Sequence, residues 1–202
     1  MTTANHRTSD YPVDPLFLER WSPRAFSGAA MPETDLLSMI EAARWAASAY
    51  NSQPWSFLYA LRDTEAWPKF LDLLVPFNLS WAEHAAAVVI VVSNSLMVPP
   101  GRDKPVPSHS HSFDTGMATA QFVLQGTKLG YHSHGMVGLD MERAFAELNV
   151  PVGHRVEAAF AVGRIGERSS LPDALQAREQ PSNRNAISSI ALNGGFPAPG
   201  AA

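Results

Sequence analysis

Cysteine is absent from the 202 residues, and that single absence excludes disulfides, thiolate metal sites, iron–sulfur ligation and cysteine nucleophiles. Any redox chemistry must therefore use a borrowed cofactor. Runs of Lys or Arg are also missing. With 15 basic against 19 acidic residues the formal net charge is −4, so the electrostatic footprint of a nucleic-acid binder is lacking and an anionic small ligand would need a local basic cluster. The longest strongly apolar run, Ala85 to Val92, is far too short to span a bilayer. Met1 to Asp10 is polar, carries no apolar h-region and does not read as a secretory signal. The expectation is a cytoplasmic protein with neither a membrane nor a nucleic-acid partner. No G-x-G-x-x-G follows a strand and no G-x-S-x-G occurs, which removes support for a Rossmann dinucleotide site and for a serine-hydrolase elbow. No internal repeat is evident.

What is present is apolar material: 46% of the residues are hydrophobic, enough to bury one substantial core. We expect a single domain over residues 15–193, with tails over 1–14 and 194–202. Met31-Pro32-Glu33-Thr34-Asp35 reads as a helix start, with Pro32 suited to the first turn and two acids at the positive end of the dipole. Leu36, Ile40, Ala43 and Ala47 follow at helical spacing. Trp55 to Leu61 reads as a strand, and Thr64 to Leu74 as a second helix. Ala86 to Val92 is continuously apolar and β-branched, as expected of a central strand covered on both faces. The fold class is therefore a layered α/β (α+β) arrangement. Ser95 to Ser112 reads as a long surface loop. Asp114 to Leu129 reads as a helix apolar nearly all round, which must be buried in a core or against a partner chain. Gly130 to Gly138 is extended, Met141 to Leu148 a short helix, and Val156 to Val162 a strand.

Two segments carry groups suited to binding. Arg20-Trp21-Ser22-Pro23-Arg24 places two guanidinium forks and a hydroxyl together, a set suited to phosphate oxygens. The same segment also fits a solvated basic turn anchored by Trp21 and Phe26. Ala42-Ala43-Arg44-Trp45-Ala46-Ala47-Ser48-Ala49-Tyr50-Asn51-Ser52-Gln53-Pro54-Trp55 ends one helix in small and amide residues and enters a strand. It also fits an ordinary connection capped by Ser48 and Asn51. His109-Ser110-His111 and His132-Ser133-His134 are two His-x-His pairs, each projecting both rings to one side if extended. With no acidic neighbour to complete a ligand set, no metal is assigned to them; His132 and His134 are expected to shape a pocket or bond a substrate.

In order and spacing these segments resemble the nitroreductase family. Its arginine–serine–arginine segment is matched by Arg20, Ser22 and Arg24, and its alanine–serine–asparagine–glutamine–proline–tryptophan signature by the stretch from Ala42 to Trp55. Asn78-Leu79-Ser80-Trp81 stands where the family has an amide. Asp114 to Gly130 resembles its long buried helix, Gly135-Met136-Val137-Gly138 its glycine-bearing loop, and Arg184 the arginine of its late basic pair. The resemblance implies a mixed central sheet flanked by helices, a homodimer, and flavin mononucleotide (FMN) held at the subunit boundary. It implies cofactor contacts from Arg20, Trp21, Ser22, Arg24, Ala47, Ser48, Ala49, Asn51, Asn78, Gly135, Met136, Val137, Gly138 and Arg184, the 47–51 set reaching across from the other subunit. The backbone of 135–138 would lie against flavin N5, where glycine permits close approach. The implied activity is hydride transfer from NAD(P)H, a transient reductant, to an electron-poor small molecule such as a nitroaromatic or quinone. A storage or sensing FMN protein of the same fold is the alternative. Three positions depart from the family pattern: Ala47 stands where many members have proline, Val137 where one branch has glutamate, and Ser182 where a lysine is usual. No side chain is expected as an acid–base catalyst.

Overall fold

In the computed structural model, which describes residues 5–196, the helices are α1 (Pro15–Glu19), α2 (Glu33–Arg44), α3 (Trp67–Asp72), α4 (Pro76–Ala82), α5 (His111–Lys128), α6 (Met141–Glu147) and α7 (Asp173–Gln176). The strands are β1 (Trp55–Leu61), β2 (Ala87–Asn94), β3 (Leu96–Met97), β4 (Val106–Pro107), β5 (His132–Met136) and β6 (His154–Gly163). The outer parts of the two expected tails, residues 1–4 and 197–202, lie outside the described residues.

Strand β2 is central because its apolar residues can be covered from both sides. The sheet order is β1-β2-β6-β5, and the two faces of β2 separate two cores. Val88, Ile90 and Val92 pack with Trp67, Phe70, Trp81 and Ala144, from α3, α4 and α6. Ala87 and Val89 pack with Leu36, Met39, Ala43, Ala118 and Phe122, from α2 and α5. Each fully buried large side chain contributes roughly 1.5–3 kcal/mol. The layered class is as expected, whereas the mixed strand order is not: every pairing in this sheet is antiparallel. An unbroken apolar run reports burial on two faces. It is blind to the direction of its neighbours.

Other expectations shift for local reasons. The helix foreseen over Thr64 to Leu74 is confined to Trp67–Asp72, with proline in its first turn, and Pro76 opens α4 as a separate helix. The loop foreseen over Ser95 to Ser112 contains the β3–β4 ribbon. The Ser95 N–H donates to Gly153 O (2.8 Å) and the Ser108 N–H to Ser95 O (2.8 Å), pinning both ends of the ribbon. Helix α5 begins at His111, three residues before the apolar pattern starts, because polar contacts hold its first turn. A β-bulge in β6 leaves Glu157 as the extra residue, since Val91 faces Ala158 while Val92 faces Val156. Its carboxylate accepts from Ser93 Oγ (2.5 Å) and Ser112 Oγ (2.6 Å).

Helix α5 is buried on one face only within the chain. Ala118, Phe122 and Val123 are covered, while Phe113 is 71% exposed and Gly116 and Ala120 are exposed. Met117 and Leu129 are partly covered by the second core, while Phe113 stands open. Among the described residues no helix is long and apolar enough to cross a membrane.

Candidate functional site

Segments far apart in sequence converge on a cluster of cations. Asn5 Nδ2 donates to Leu18 O (3.1 Å). Arg7 donates Nε–H to Ser182 O (2.8 Å) and Nη1–H to Leu18 O (3.2 Å) and Arg20 O (2.6 Å). The N-terminal stretch expected as a tail is therefore fastened to the body in its described part. Arg20 Nη1 lies 3.4 Å from Ser22 Oγ. Burial, and then the charge of Arg184, hold the Arg20 guanidinium below its ordinary value. Arg7 is lowered by burial, then by Arg184 and Arg20. All three stay charged at neutral pH. None forms an ion pair with a carboxylate among the described residues. Like charges gathered without a counterion repel, so the arrangement is complete only with an anion.

Behind the arginines lies a layer of buried polar groups. His132 and His134 stand on one side of β5, as alternation along a strand requires. His132 meets Trp21 edge-on (6.2 Å between centroids) and His134 lies 4.6 Å from Trp81. Burial first, and then Arg20, push His132 down to about 4. Burial likewise takes His134 to about 4, against the hydrogen bond to Pro23 O. Both rings are neutral at pH 7. His134 Nδ1–H donates to Pro23 O (2.9 Å), which fixes its tautomer. Arg24 sits over Trp81 (5.9 Å), and its backbone N–H and that of Ala25 donate to Glu179 Oε1 at 2.7 and 2.8 Å. Both ring nitrogens of His132, and Arg24 Nε, are buried without a partner. Orphaned buried polar atoms are rare, and here they adjoin the unpaired cations.

The second expected segment lies apart from this cluster. After α2 the chain turns through Tyr50 (φ 53°), Asn51 (φ 54°) and Gln53 (φ 48°), all left-handed. Strain of this kind persists only where the surroundings impose it. Three side chains hold the turn: Ser48 Oγ accepts the Gln53 N–H (3.0 Å), Asp114 Oδ2, in the first turn of α5, accepts the Ala49 N–H (3.1 Å), and Gln53 Nε2 donates to Asn51 O (3.1 Å). Ala47 and Asn51 are exposed, Ser48 and Ala49 half-buried. Among the described residues no hydrogen bond or ion pair joins Ala47–Asn51 to the arginine cluster.

The loop after β5 is fixed from below. Asn78 Nδ2 donates to Gly138 O (2.9 Å), which also accepts the Val75 N–H (3.2 Å). A Cβ on Gly138 would lie 2.5 Å from Asn78 Nδ2. Glycine here serves the approach of Asn78, a reason for the residue that the sequence did not reveal. Asn78, expected to face a ligand, commits its amide N–H to the loop. Gly135 faces the ring of Phe160, Met136 is buried in the core, and Val137 is 75% exposed. Of these four, Val137 is the side chain that reaches outward.

The histidine pairs do not converge. His111 Nδ1 lies 2.8 Å from Ser93 Oγ and 3.8 Å from Glu157, whereas His132 and His134 face Trp21 and Trp81. Sequence reasoning missed Arg7, Glu179 and Asp114. Only Asp114 left a trace, an acid at the head of an apolar helix.

Comparison with known proteins resolves the affiliation. Residues 18–80 match the model of the nitroreductase family, a span that contains Arg20–Arg24, the left-handed turn and Asn78. An uncharacterized 15.4 kDa protein in the ask 5′ region of Mycolicibacterium smegmatis is 30% identical over 116 residues, 57% of this chain and 74% of that one. A solved structure described as an oxidoreductase containing FMN is 46% identical, with a TM-score of 0.92 over 98% of this chain and 99% of the other. The chain belongs to the nitroreductase family. A nitroreductase family protein from Clostridium difficile 630 shares the fold at 17% identity, with a TM-score of 0.67 over 90% of this chain and 97% of that one. Within this nitroreductase-family chain, the structure brings Arg20, Trp21, Ser22, Arg24 and Arg184 to one cluster and Asn78 to the loop of 135–138. The Ala47–Asn51 turn stands by itself.

Proposed function

We propose that this chain is an FMN-dependent oxidoreductase, a homodimer that transfers hydride from NADH or NADPH to an electron-poor acceptor of the nitroaromatic or quinone type. One observation carries the reading: Arg7, Arg20 and Arg184 gather without a carboxylate ion pair, beside buried nitrogens of His132 and Arg24 that lack partners. That donor set fits a phosphate monoester, whose oxygens take forked guanidinium N–H groups. It also fits the hydroxyls of a polyol, because a neutral imidazole both donates and accepts. A similar solved oxidoreductase, 46% identical, contains FMN.

Arg20 and Arg184 would neutralise the phosphate, and Ser22, Arg24 and His132 would bond the chain attached to it. Bound there, FMN would supply the two-electron chemistry that no side chain here provides, taking hydride from a nicotinamide and giving it to the acceptor. Asn78 and Val75 keep the 136–138 backbone fixed from below. Val137, exposed and uncharged, presents an apolar surface with no acid–base group, so protons for the reduced acceptor come from water. Ser48, Ala49 and Asn51, apart from the cluster within one chain, would reach it from a partner subunit. Large apolar side chains left open on α1, on α5 and in the segment that follows α2, namely Phe17, Phe113, Trp45 and Tyr50, support such a partner.

The test is the visible spectrum of untagged protein, followed by heat release, mass identification of the chromophore and sedimentation. About one FMN per chain and a dimeric mass are expected. Addition of NADPH under argon should then bleach the flavin within seconds. Colourless protein that fails to take up added FMN would overturn the reading. Bound flavin that stays oxidised would favour storage or sensing.

A further inference from the structure

Arg7 lies outside every segment through which the family resemblance runs, yet its guanidinium joins two segments of the arginine cluster that are far apart in sequence. Its Nε–H and both N–H groups of Nη1 are used on three backbone carbonyls: Ser182 O (2.8 Å), Leu18 O (3.2 Å) and Arg20 O (2.6 Å). Two of those carbonyls belong to the segment that carries Arg20. The third lies two residues before Arg184, whose own Nη1 donates to Ser182 Oγ (2.9 Å) and Asn183 O (2.9 Å). The anchor of Arg7 is itself secured, since Asn5 Oδ1 accepts the Arg7 N–H (2.9 Å) and Asn5 Nδ2 donates to Leu18 O.

We propose that Arg7 is a positioning residue for the phosphate site, a clasp whose planar fork ties the Arg20 segment to the Arg184 segment and sets the spacing of their guanidiniums. The proposal rests on the FMN reading above and deepens it. Two cations held near each other repel, and without a tie the segments bearing them would move apart in the absence of ligand. Hydrogen bonds from a charged donor to backbone carbonyls oppose that separation. Carbonyl oxygens also screen the third charge that Arg7 itself brings. A lysine keeps that charge but has no planar fork, and it cannot reproduce three bonds in fixed directions.

The test compares full-length wild type, Arg7→Ala and Arg7→Lys, each depleted of flavin by dialysis and titrated with FMN and with riboflavin, which lacks the phosphate. Wild type should prefer FMN. Arg7→Ala should weaken FMN about tenfold, and Arg7→Lys by several-fold, with riboflavin affinity changed by less than about twofold in both. Parallel loss of FMN and riboflavin would make Arg7 a general structural residue and overturn the proposal. So would full FMN affinity in either variant; full affinity in Arg7→Lys alone would reduce Arg7 to a bare charge. If Arg7→Ala does not fold, Arg7→Lys decides by the same criterion. A wild type that binds both flavins equally would instead remove the phosphate reading itself, and the clasp with it.

Discussion

The arginine cluster and the Ala47–Gln53 turn are both short, polar interruptions in a strongly apolar chain, and they are held in opposite ways. The cluster is tied from many directions: Arg7 to three carbonyls, Glu179 to two N–H groups, His134 to Pro23 O. The turn has left-handed backbone at Tyr50, Asn51 and Gln53 and three side-chain contacts, from Ser48, Gln53 and Asp114. The cluster's unmet need is for a counter-charge. The turn's left-handed residues are held by contacts within the chain, and Tyr50 and Asn51 stay exposed. On the function proposed above, the first half would be a binding site made by one chain and the second a surface for a partner.

Acid should separate the halves most strongly. His132 and His134 are held at about 4 in the folded protein, below the ordinary 6.5 of the unfolded chain. Between those values the unfolded state binds more protons, so the stability they contribute is full above pH 6.5 and is lost as pH falls toward 4. The expected loss is about 2–3 kcal/mol per ring. Urea unfolding from pH 7 to pH 4 measures it, and a His132→Gln/His134→Gln double variant should flatten the slope over that window. An unchanged slope would mean that the rings are not buried as neutral groups.

Next in size is the phosphate term. Arg20→Ala and Arg184→Ala should each weaken FMN by about 1.5–3 kcal/mol, the range for hydrogen bonds to charged groups, and the wild-type affinity should fall with added salt. Asn51→Ala in the turn should leave the preference for FMN over riboflavin intact. Equal loss of that preference from both halves would erase the distinction between them.

A smaller effect belongs to the tether between α5 and the turn. Asp114 is 3% exposed and accepts from Ala49 N–H and Ser110 Oγ. Asp114→Ala leaves both donors without their acceptor and should cost about 1–3 kcal/mol. Asp114→Asn keeps one oxygen and should restore most of that. Faster hydrogen exchange at the Ala49 amide, with the arginine segment unaffected, would place the damage in the turn.

How much of this the sequence displayed depends on the range of the interaction. Strand β1 was legible to the residue because Pro54 and the aromatic run that follows are local signals, and β2 because two-sided burial writes itself as an unbroken apolar run. Strand direction, the early start of α5 at His111 and the β3–β4 ribbon were not legible, since each depends on a partner elsewhere: Glu157 for α5, Ser95 and Gly153 for the ribbon. The candidate site divides in the same manner. Arg20, Ser22 and Arg24 form a recognisable local pattern. Glu179, 155 positions from the Arg24 N–H that it accepts, has no pattern at all, and Arg7 reads as one charge in a polar stretch until its three carbonyls are seen.

The finest test of the comparison is Tyr50→Gly. A non-glycine residue in the left-handed region costs about 1–2 kcal/mol, and Tyr50 is also 68% exposed, so its ring adds little packing within one chain. Glycine removes that strain but gives up about 0.5–1 kcal/mol of backbone entropy, leaving a net change in chain stability of roughly half a kcal/mol or less. If the turn is shaped for a partner, its function should suffer out of proportion to this near-neutral balance: the dimer should dissociate more readily on dilution while the unfolding midpoint of the single chain holds. Sedimentation across a dilution series reads the first quantity and urea unfolding the second. A variant that dimerises as wild type does would show that the left-handed turn is a local solution to the exit from α2, and the contrast with the arginine cluster would then be one of exposure alone.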